Sequence, residues 1–422
     1  MRAGTKLAAS LVLLALSMPA WCAKKVDLDY HVKLLPQSDQ AEVRVSLSQG
    51  SAVRSLDFDL GHDGDYSDFK ADGQWKISDS RGVWQPSADK ASLTYRVRLT
   101  HARKAGIYEA RMTPSWALFR GEDLVPTAHL DQQDGVELVS RLVFELPAGW
   151  KSIETAWPRI GKNKFRIDNV SRLFDRPTGW MLAGDLGSRR ARLGETEVTV
   201  AAPVGQGMRR MDSLTLLTFV WPQLQAVFPR NPPKLLLVGA RDGMWRGAMA
   251  AQGSLYLNSA RPMVSENGNS PLLRELVQLF AQIHGRDGSD WLIESLTDYY
   301  ASELLRRAGG VSDDRYEAWQ ARLMCLSGLT QQALLCGELD QAHALNREAL
   351  CLARAHGSLL FEGLLELDHA QWLEQRGAPV RAESLLVDIE HLLRQRTLVP
   401  TPLLGRIALR RGRLALVCRR PA

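Results

Sequence analysis

The sequence predicts an α+β protein of more than one domain, because its residue pattern changes twice along the chain. Residues 26–200 carry short runs in which apolar and polar side chains alternate, residues 204–315 mix short apolar runs with helical spacing, and residues from about 325 onward are helical. With 422 residues the chain exceeds one typical core, so two to three domains are expected. An apolar share of 45% argues against disorder of the whole chain.

The first 23 residues predict an export signal. Arg2 and Lys6 provide a positive start, and Leu7 to Ala20 is an apolar run followed by small residues up to Ala23. This run is too short to cross a bilayer comfortably, although a short N-terminal anchor is an alternative. We therefore expect residues 1–23 to be removed, leaving a periplasmic or secreted protein without a membrane attachment.

Residues 24–203 predict a β-rich domain. Residues 41–47 and 92–99 alternate with a period of two, which is typical of half-buried strands. Clusters of Gly, Asp and Ser, as at residues 61–65, separate such runs. We expect a sandwich-like arrangement of these strands.

Residues 204–315 predict a mixed α/β domain that ends in two helices. Residues 208–228 have helical spacing, and residues 234–240 and 254–258 read as strands. The first of the two final helices is expected at residues 271–283, with Pro271 at its first position, and the second at residues 289–307. Asn269 or Ser270 is expected to cap the start of the first helix, and Gly309 and Gly310 are expected to end the second.

Residues 325–422 predict an all-α repeat. The residues that recur 40 positions later are Gly337, Ala342 and Leu345, followed by Gly377, Ala382 and Leu385. A glycine turn followed by alanine at a close helix crossing is typical of a TPR-like helical hairpin, although an ordinary helical bundle is an alternative. Four cysteines lie at or after Cys325, whereas none lies between it and Cys22. At helical positions such cysteines are most often small buried residues.

The candidate catalytic residues lie on the two final helices of the α/β domain. In a zinc peptidase helix of this type, histidines at positions 274 and 278 would lie on one face and bind a zinc ion, and Glu275 would act as the general base. A carboxylate of the next helix, Glu294, is placed to be the third ligand. The chain instead has Arg274 and Gln278 at the two histidine positions.

These segments resemble the gluzincin peptidases, and within them the glycyl aminopeptidase family, relatives of aminopeptidase N. RELVQLF resembles HELVHLF, WLIESLTDYY resembles the WLxEGxxxYY helix, and Gly247 to Ala251 is similar to the GAMEN strand motif. The resemblance covers about residues 26–315 and implies a thermolysin-like catalytic-type domain. It also implies that Glu275 occupies the general-base position, that Glu294 occupies the third-ligand position, and that Gly247, Ala248 and Met249 bind substrate.

The departures from this family argue against catalysis. Arg274 has no lone pair for a metal and Gln278 is a poor zinc ligand. Ala250 stands where GAMEN has its glutamate, and Ser295 replaces the usual glycine. We therefore expect no cofactor, or zinc if the protein is active. The charge pattern predicts that Arg274 replaces the zinc and pairs with Glu294, and with Glu275 if that residue is near. A metal held by His284 and Glu294 is an alternative.

Residues 328–417 resemble the helical repeats of LuxR-type and MalT-type regulators. The segments that carry the resemblance are LARAHGSLLFEGLLELDHAQWLEQRG and TPLLGRIALRRGRLAL. It implies binding of an effector or a protein partner. The basic residues at the end of the chain favour a solvated helix face over contact with nucleic acid, and the net charge of +6 is only mildly basic. An export signal and a cytosolic type of repeat predict a fusion junction near residues 310–328.

Three functions follow from these features. The first is an exported peptidase-like protein without its zinc ligands, a pseudo-peptidase or scaffold that binds a peptide or protein in its cleft. The second is an active zinc aminopeptidase with unusual ligands. The third is an interaction protein that acts through its TPR-like repeats at residues 325–422.

Overall fold

The structure is a computed structural model. It describes residues 24–61, 65–168, 174–230, 232–265, 268–282, 290–355, 358–395 and 401–418, and within these ranges the side chains at 290–296 and 314–321 are among those left out. The predicted export signal, residues 1–23, lies outside the described residues and stays a prediction. Within the described part of the chain, no helix is long and apolar enough to cross a membrane.

The described residues form 21 strands and nine helices. The strands are β1 Lys24–Leu35, β2 Gln40–Leu47, β3 Val53–Asp59, β4 Tyr66–Ala71, β5 Gly73–Ser78, β6 Arg81–Pro86, β7 Ala91–Arg98, β8 His101–Lys104, β9 Ile107–Met112, β10 Trp116–Arg120, β11 Ala128–Gln132, β12 Val136–Glu145, β13 Ser152–Thr155, β14 Arg159–Gly161, β15 Lys164–Ile167, β16 Trp180–Gly184, β17 Leu186–Leu193, β18 Thr196–Pro203, β19 Lys234–Val238, β20 Ala248–Ala251 and β21 Ser254–Leu257. The helices are α1 Gly121–Leu124, α2 Arg210–Val227, α3 Pro271–Ala281, α4 Asp290–Arg307, α5 Asp313–Cys336, α6 Leu339–Ala355, α7 Leu359–Gln375, α8 Pro379–Gln395 and α9 Thr401–Cys418. The predicted mixed α and β composition is therefore confirmed.

The chain divides into two compact units. The first consists of Met1–Ala102, Ala110–Ile153 and Trp157–Thr178, and the second of Arg103–Glu109, Glu154–Ala156 and Gly179–Ala422. The first unit holds a seven-stranded sheet of order β14-β15-β12-β1-β2-β7-β4 and a four-stranded sheet of order β11-β3-β6-β5. In β1 and β7 every second side chain is buried, which is the period-two alternation that predicted strands here.

The second unit is built on a five-stranded sheet of order β17-β18-β19-β21-β20. Strands β18, β19 and β21 run parallel to one another, whereas β17 and β20 pair antiparallel with their neighbours. The continuous apolar run of β19 is fully buried, as expected for a central parallel strand. Helix α2 connects β18 to the parallel strand β19, so its N-terminus lies at the carboxyl edge of these strands.

Helices α2, α3 and α4 share one apolar core with this sheet. The apolar face of α3 is buried there through Leu272, Leu273, Leu276, Val277 and Phe280. The rings of Trp221 and Phe280 meet edge to face at 5.5 Å, which joins α2 to α3. Because the apolar side of α3 packs into this core, the polar side chains of the helix lie on its other side. From there Glu275 reaches β20 and Arg274 reaches α4.

Helices α5 to α9 follow one another as packed neighbours, α5 on α6, α6 on α7, α7 on α8 and α8 on α9. Gly337 and Gly377 both adopt a φ of 76°, which favours glycine, and each precedes a new helix. Ala342 and Ala382 are almost completely buried at the start of those helices. The geometry of the two segments is thus alike, and their assignment as TPR-like repeats stays a prediction.

The expectation that the helical cysteines are buried is wrong for those the structure describes. Cys325, Cys336 and Cys351 are all exposed free thiols. They lie on helix faces that no neighbouring helix covers, so they do not act as small core residues there.

Candidate functional site

The candidate site lies on the polar face of α3, where the sequence places three residues of the degenerate metal motif. Ser270 begins this helix because its hydroxyl accepts a hydrogen bond from the Leu273 N–H at 3.2 Å. Pro271 occupies the first helical position, where its missing N–H removes no hydrogen bond. Arg274, Glu275 and Gln278 then share the face away from the core.

Arg274 lies against helix α4. Its Nε is 2.9 Å from the Asp298 Oδ1, and the two side chains are 37% and 51% exposed. An ion pair with this much exposure contributes at most about 1 kcal/mol, because water screens it. Arg274 thus joins helices α3 and α4 electrostatically.

The predicted pairing of Arg274 with Glu294 stays untested, because the structure describes the backbone of Glu294 and not its side chain. Asp298 lies one helical turn beyond Glu294 on α4, so both positions share one helix face. The side chain of Glu294 is outside the described residues, as is residue His284 of the alternative metal pair. Those two pairings stay predictions, and the carboxylate that the structure places against Arg274 is Asp298.

Glu275 holds the edge strand β20. Its Oε2 accepts a hydrogen bond from the Ala250 N–H at 2.7 Å. Burial raises the pKa of the Glu275 carboxyl above its ordinary value, although the charge of Arg274 and the bond from Ala250 oppose this. The carboxylate therefore sits partly buried between the helix and the strand.

The side chain of Gln278 is exposed and does not join the contacts that Arg274 and Glu275 make. Its backbone carbonyl accepts the N–H of Gln282 at 3.4 Å, where the helix ends in a left-handed conformation. The Gln278 side chain thus faces solvent.

The predicted substrate-binding residues lie in and just before β20. Gly247 precedes this strand, and a Cβ there would lie 2.2 Å from the indole of Trp245, so any other residue would require this ring to move. Ala248 is partly buried against the core, and the Met249 carbonyl accepts the indole N–H of Trp180 at 3.1 Å. Strand β20 is the edge of its sheet, and its Ala250 N–H and Met249 carbonyl are already bound by side chains.

The turn before β20 is held by a buried amide that the sequence analysis did not single out. Asn258 is 1% exposed, and its Nδ2 donates to the carbonyls of Met244 and Trp245 at 3.1 Å each. Its N–H donates to the Gly247 carbonyl at 3.0 Å. The position of the predicted substrate-binding strand thus depends on Asn258.

Two other contributors were also missed. Asp298 is part of the WLIESLTDYY segment, four residues after Glu294, and this spacing was a usable signal for a second carboxylate on the same face. Trp180 is 69 positions before its partner Met249, and nothing local in the sequence links them.

The dependence of the free energy of unfolding on pH tests the buried position of Glu275. Because its pKa is raised in the folded state, the folded protein binds the proton more tightly than the unfolded chain does. The stability from this group is therefore full below the unfolded-state pKa and is lost as the pH rises through the folded-state pKa. In urea titrations, the parent is expected to lose stability relative to Glu275→Gln as the pH rises through this range. A parent that gains stability relative to the variant over this range contradicts the assignment.

Comparisons with known proteins agree with this architecture at the level of the fold. No family model matches the chain, and no curated protein matches its sequence. Among solved structures, an aminopeptidase N family protein from Idiomarina loihiensis superposes with a TM-score of 0.53 at 15% identity, over 68% of this chain and 56% of that one. The chain has an aminopeptidase-like fold.

A second solved structure, leukotriene A4 hydrolase from Saccharomyces cerevisiae, superposes with a TM-score of 0.42 at 14% identity, over 73% of this chain and 52% of that one. The chain thus spans about half the length of the solved structures it matches. At these identities the likeness concerns the fold, and the activity is a separate question.

Proposed function

We propose that this protein is an exported, non-catalytic relative of the metallopeptidases that binds peptides along β20, in the cleft beside α3. The observation that supports this most directly is the ion pair of Arg274 with Asp298 at 2.9 Å. The side chain at a position where the family has a zinc ligand is engaged with a neighbouring helix. The export part of the proposal rests on the signal-like residues 1–23.

The donor set at the site does not fit zinc. A catalytic zinc takes three protein ligands and a water. Arg274 has no lone pair to donate, Gln278 has a weakly ligating amide, and the Glu275 carboxylate is bound to the Ala250 N–H. Even with Glu294 available, one good ligand is too few, so these residues do not provide for a metal-activated water.

The charge of the cleft favours a peptide with a free amino group. Glu275 and Asp298 supply two carboxylates against the single guanidinium of Arg274, so these three groups have a net negative charge when ionised. The edge strand β20 offers an extended peptide those of its backbone groups that Glu275 and Trp180 do not bind. A peptide bound there would pair with the strand and place its amino group near the carboxylates.

The metal content of the purified protein tests the non-catalytic part. We expect no zinc after dialysis against trace zinc, and no hydrolysis of aminoacyl fluorogenic substrates. The double variant Arg274→His plus Gln278→His is expected to bind about one zinc per chain, because it restores two imidazole ligands one turn apart. Elemental analysis measures both proteins. Stoichiometric zinc in the parent contradicts the proposal and favours an active aminopeptidase with unusual ligands.

Helices α5 to α9 carry the second candidate function, a protein-interaction role. Leu335 and Leu409 are 81% and 77% exposed, which is unusual for large apolar side chains. Fluorescence anisotropy with short labelled peptides separates the two candidates. Binding that is unchanged in the variant Leu335→Glu plus Leu409→Glu supports the cleft beside α3, whereas binding lost in that variant supports the helical segment.

A further inference from the structure

A small pocket lies at the carboxyl edge of the parallel strands β18, β19 and β21. Its volume is about 210 Å³, and it is lined by the start of α2 and by the residues that follow β21. None of its lining residues belongs to β20 or α3, so it is separate from the site formed by these two elements. Crevices at the carboxyl edge of parallel strands are frequent ligand sites, because helix N-termini and loops converge there.

Two arginines line this pocket without an acidic partner. Among the described residues, neither Arg209 nor Arg261 forms an ion pair, and no Asp or Glu lines the pocket. One guanidinium nitrogen of Arg261 donates to the Arg246 carbonyl at 3.1 Å, which orients the group. Two positive charges beside one small pocket, whose described lining contains no acidic side chain, favour an anionic ligand.

The lining also contains a serine with a buried hydroxyl. The Oγ of Ser259 is inaccessible to solvent and has no hydrogen-bond partner within the described part of the chain. A buried polar atom without a partner is destabilising. Because protein atoms cover this oxygen while the pocket is empty, it can bond a ligand there only after the side chain turns to another rotamer. The hydroxyl of Ser213, also in the lining, is already satisfied because it donates to the Arg209 carbonyl at 2.9 Å.

The turn that carries Ser259 and Arg261 is ordered by its own hydrogen bonds. The Asn258 Oδ1 accepts the Ala260 N–H at 3.0 Å, and the Asn258 carbonyl accepts the Arg261 N–H at 2.9 Å. The Ser259 N–H is bound to the Ala240 carbonyl at 3.2 Å, just after β19. A turn fixed at three points holds its donors in place before a ligand arrives, which lowers the entropic cost of binding.

We propose that this pocket binds a phosphoryl group. A phosphoryl dianion matches two guanidinium charges and can accept hydrogen bonds from both forks and from the Ser259 hydroxyl. A carboxylate carries a single charge and would leave one guanidinium uncompensated. The N-terminus of α2, an 18-residue helix, adds partial positive charge on the same side. The proposal is independent of the peptide-binding function.

Isothermal titration of the full chain with inorganic phosphate tests the proposal, in chloride buffer of matched ionic strength. We expect the parent to bind one phosphate per chain. The variant Arg209→Gln plus Arg261→Gln is expected to bind at least about tenfold more weakly, because charged hydrogen bonds are lost. Ser259→Ala is expected to weaken binding severalfold. Arg192→Gln is the matched control, since this exposed arginine lies on β17 outside the pocket, and it should bind as the parent does.

Two further probes assign the ligand class and its source. Acetate should bind the parent at least about tenfold more weakly than phosphate, since it carries half the charge. Glycerol 3-phosphate binding tighter than inorganic phosphate identifies a phosphorylated small molecule, and equal binding identifies free phosphate. The proposal is overturned if the parent binds no phosphate, if acetate binds equally well, or if the double variant binds like the control. Circular dichroism of each variant confirms that its fold is intact.

Discussion

Replacing Trp180 with alanine is expected to lower the free energy of unfolding of the second unit by about 3–5 kcal/mol, as for other buried tryptophans. Trp180 is 2% exposed and lies 5.1 Å from the ring of Tyr256. Its backbone N–H donates to the Ser254 Oγ at 2.7 Å, and its indole donates to the Met249 carbonyl. The alanine variant therefore loses both the packing on β21 and the anchor of β20.

The variant Trp180→Phe separates these two contributions. It keeps an aromatic ring beside Tyr256 and loses the indole N–H, which leaves the Met249 carbonyl without that donor. We expect a loss of about 1–3 kcal/mol for this change, measured by urea unfolding. If both variants unfold like the parent, then Trp180 does not anchor β20 as the structure indicates.

The second large effect is expected at Leu276, in the middle of α3. This side chain is completely buried in the core shared by α2, α3, α4 and the sheet. Leu276→Ala removes buried methyl groups and leaves a cavity, which should lower the free energy of unfolding by about 2–5 kcal/mol. Since the same helix carries Arg274 and Glu275, its loosening should also weaken peptide binding in the cleft.

The matched control for this variant is Gln278→Ala on the same helix. It introduces the same residue, with the same helix propensity, at an exposed position. Its effect on stability should stay within about 0.5 kcal/mol of the parent. Equal losses at positions 276 and 278 would mean that the orientation of α3 about its axis is wrong.

Local pattern was sufficient to locate most elements of the second unit. The apolar run at residues 234–240 became β19, and the helical spacing at 208–228 became α2, because burial of a strand or of one helix face leaves a periodic trace in the sequence. The helix predicted at residues 271–283 ends two residues earlier, at Ala281, where Gln282 turns into the left-handed conformation. Helix ends depend on single backbone angles, and side-chain periodicity does not record these.

The sequence by itself determined that positions 274 and 278 carry an arginine and a glutamine, where the resemblance would place two histidines. A guanidinium cannot ligate a metal in any fold. The sequence likewise determined that Glu275 and Asp298 are carboxylates. It also placed residues 247–251 directly before the strand predicted at residues 254–258.

Only the tertiary structure decided which of these groups meet. The ion pair of Arg274 with Asp298 and the hydrogen bond of Glu275 to the Ala250 N–H depend on how α3 approaches α4 and the edge of the sheet. The pocket between Arg209 and Arg261 depends on the parallel course of β18, β19 and β21. Periodicity encodes which face of an element is buried, but partners distant in sequence are selected by packing, which the whole chain determines together.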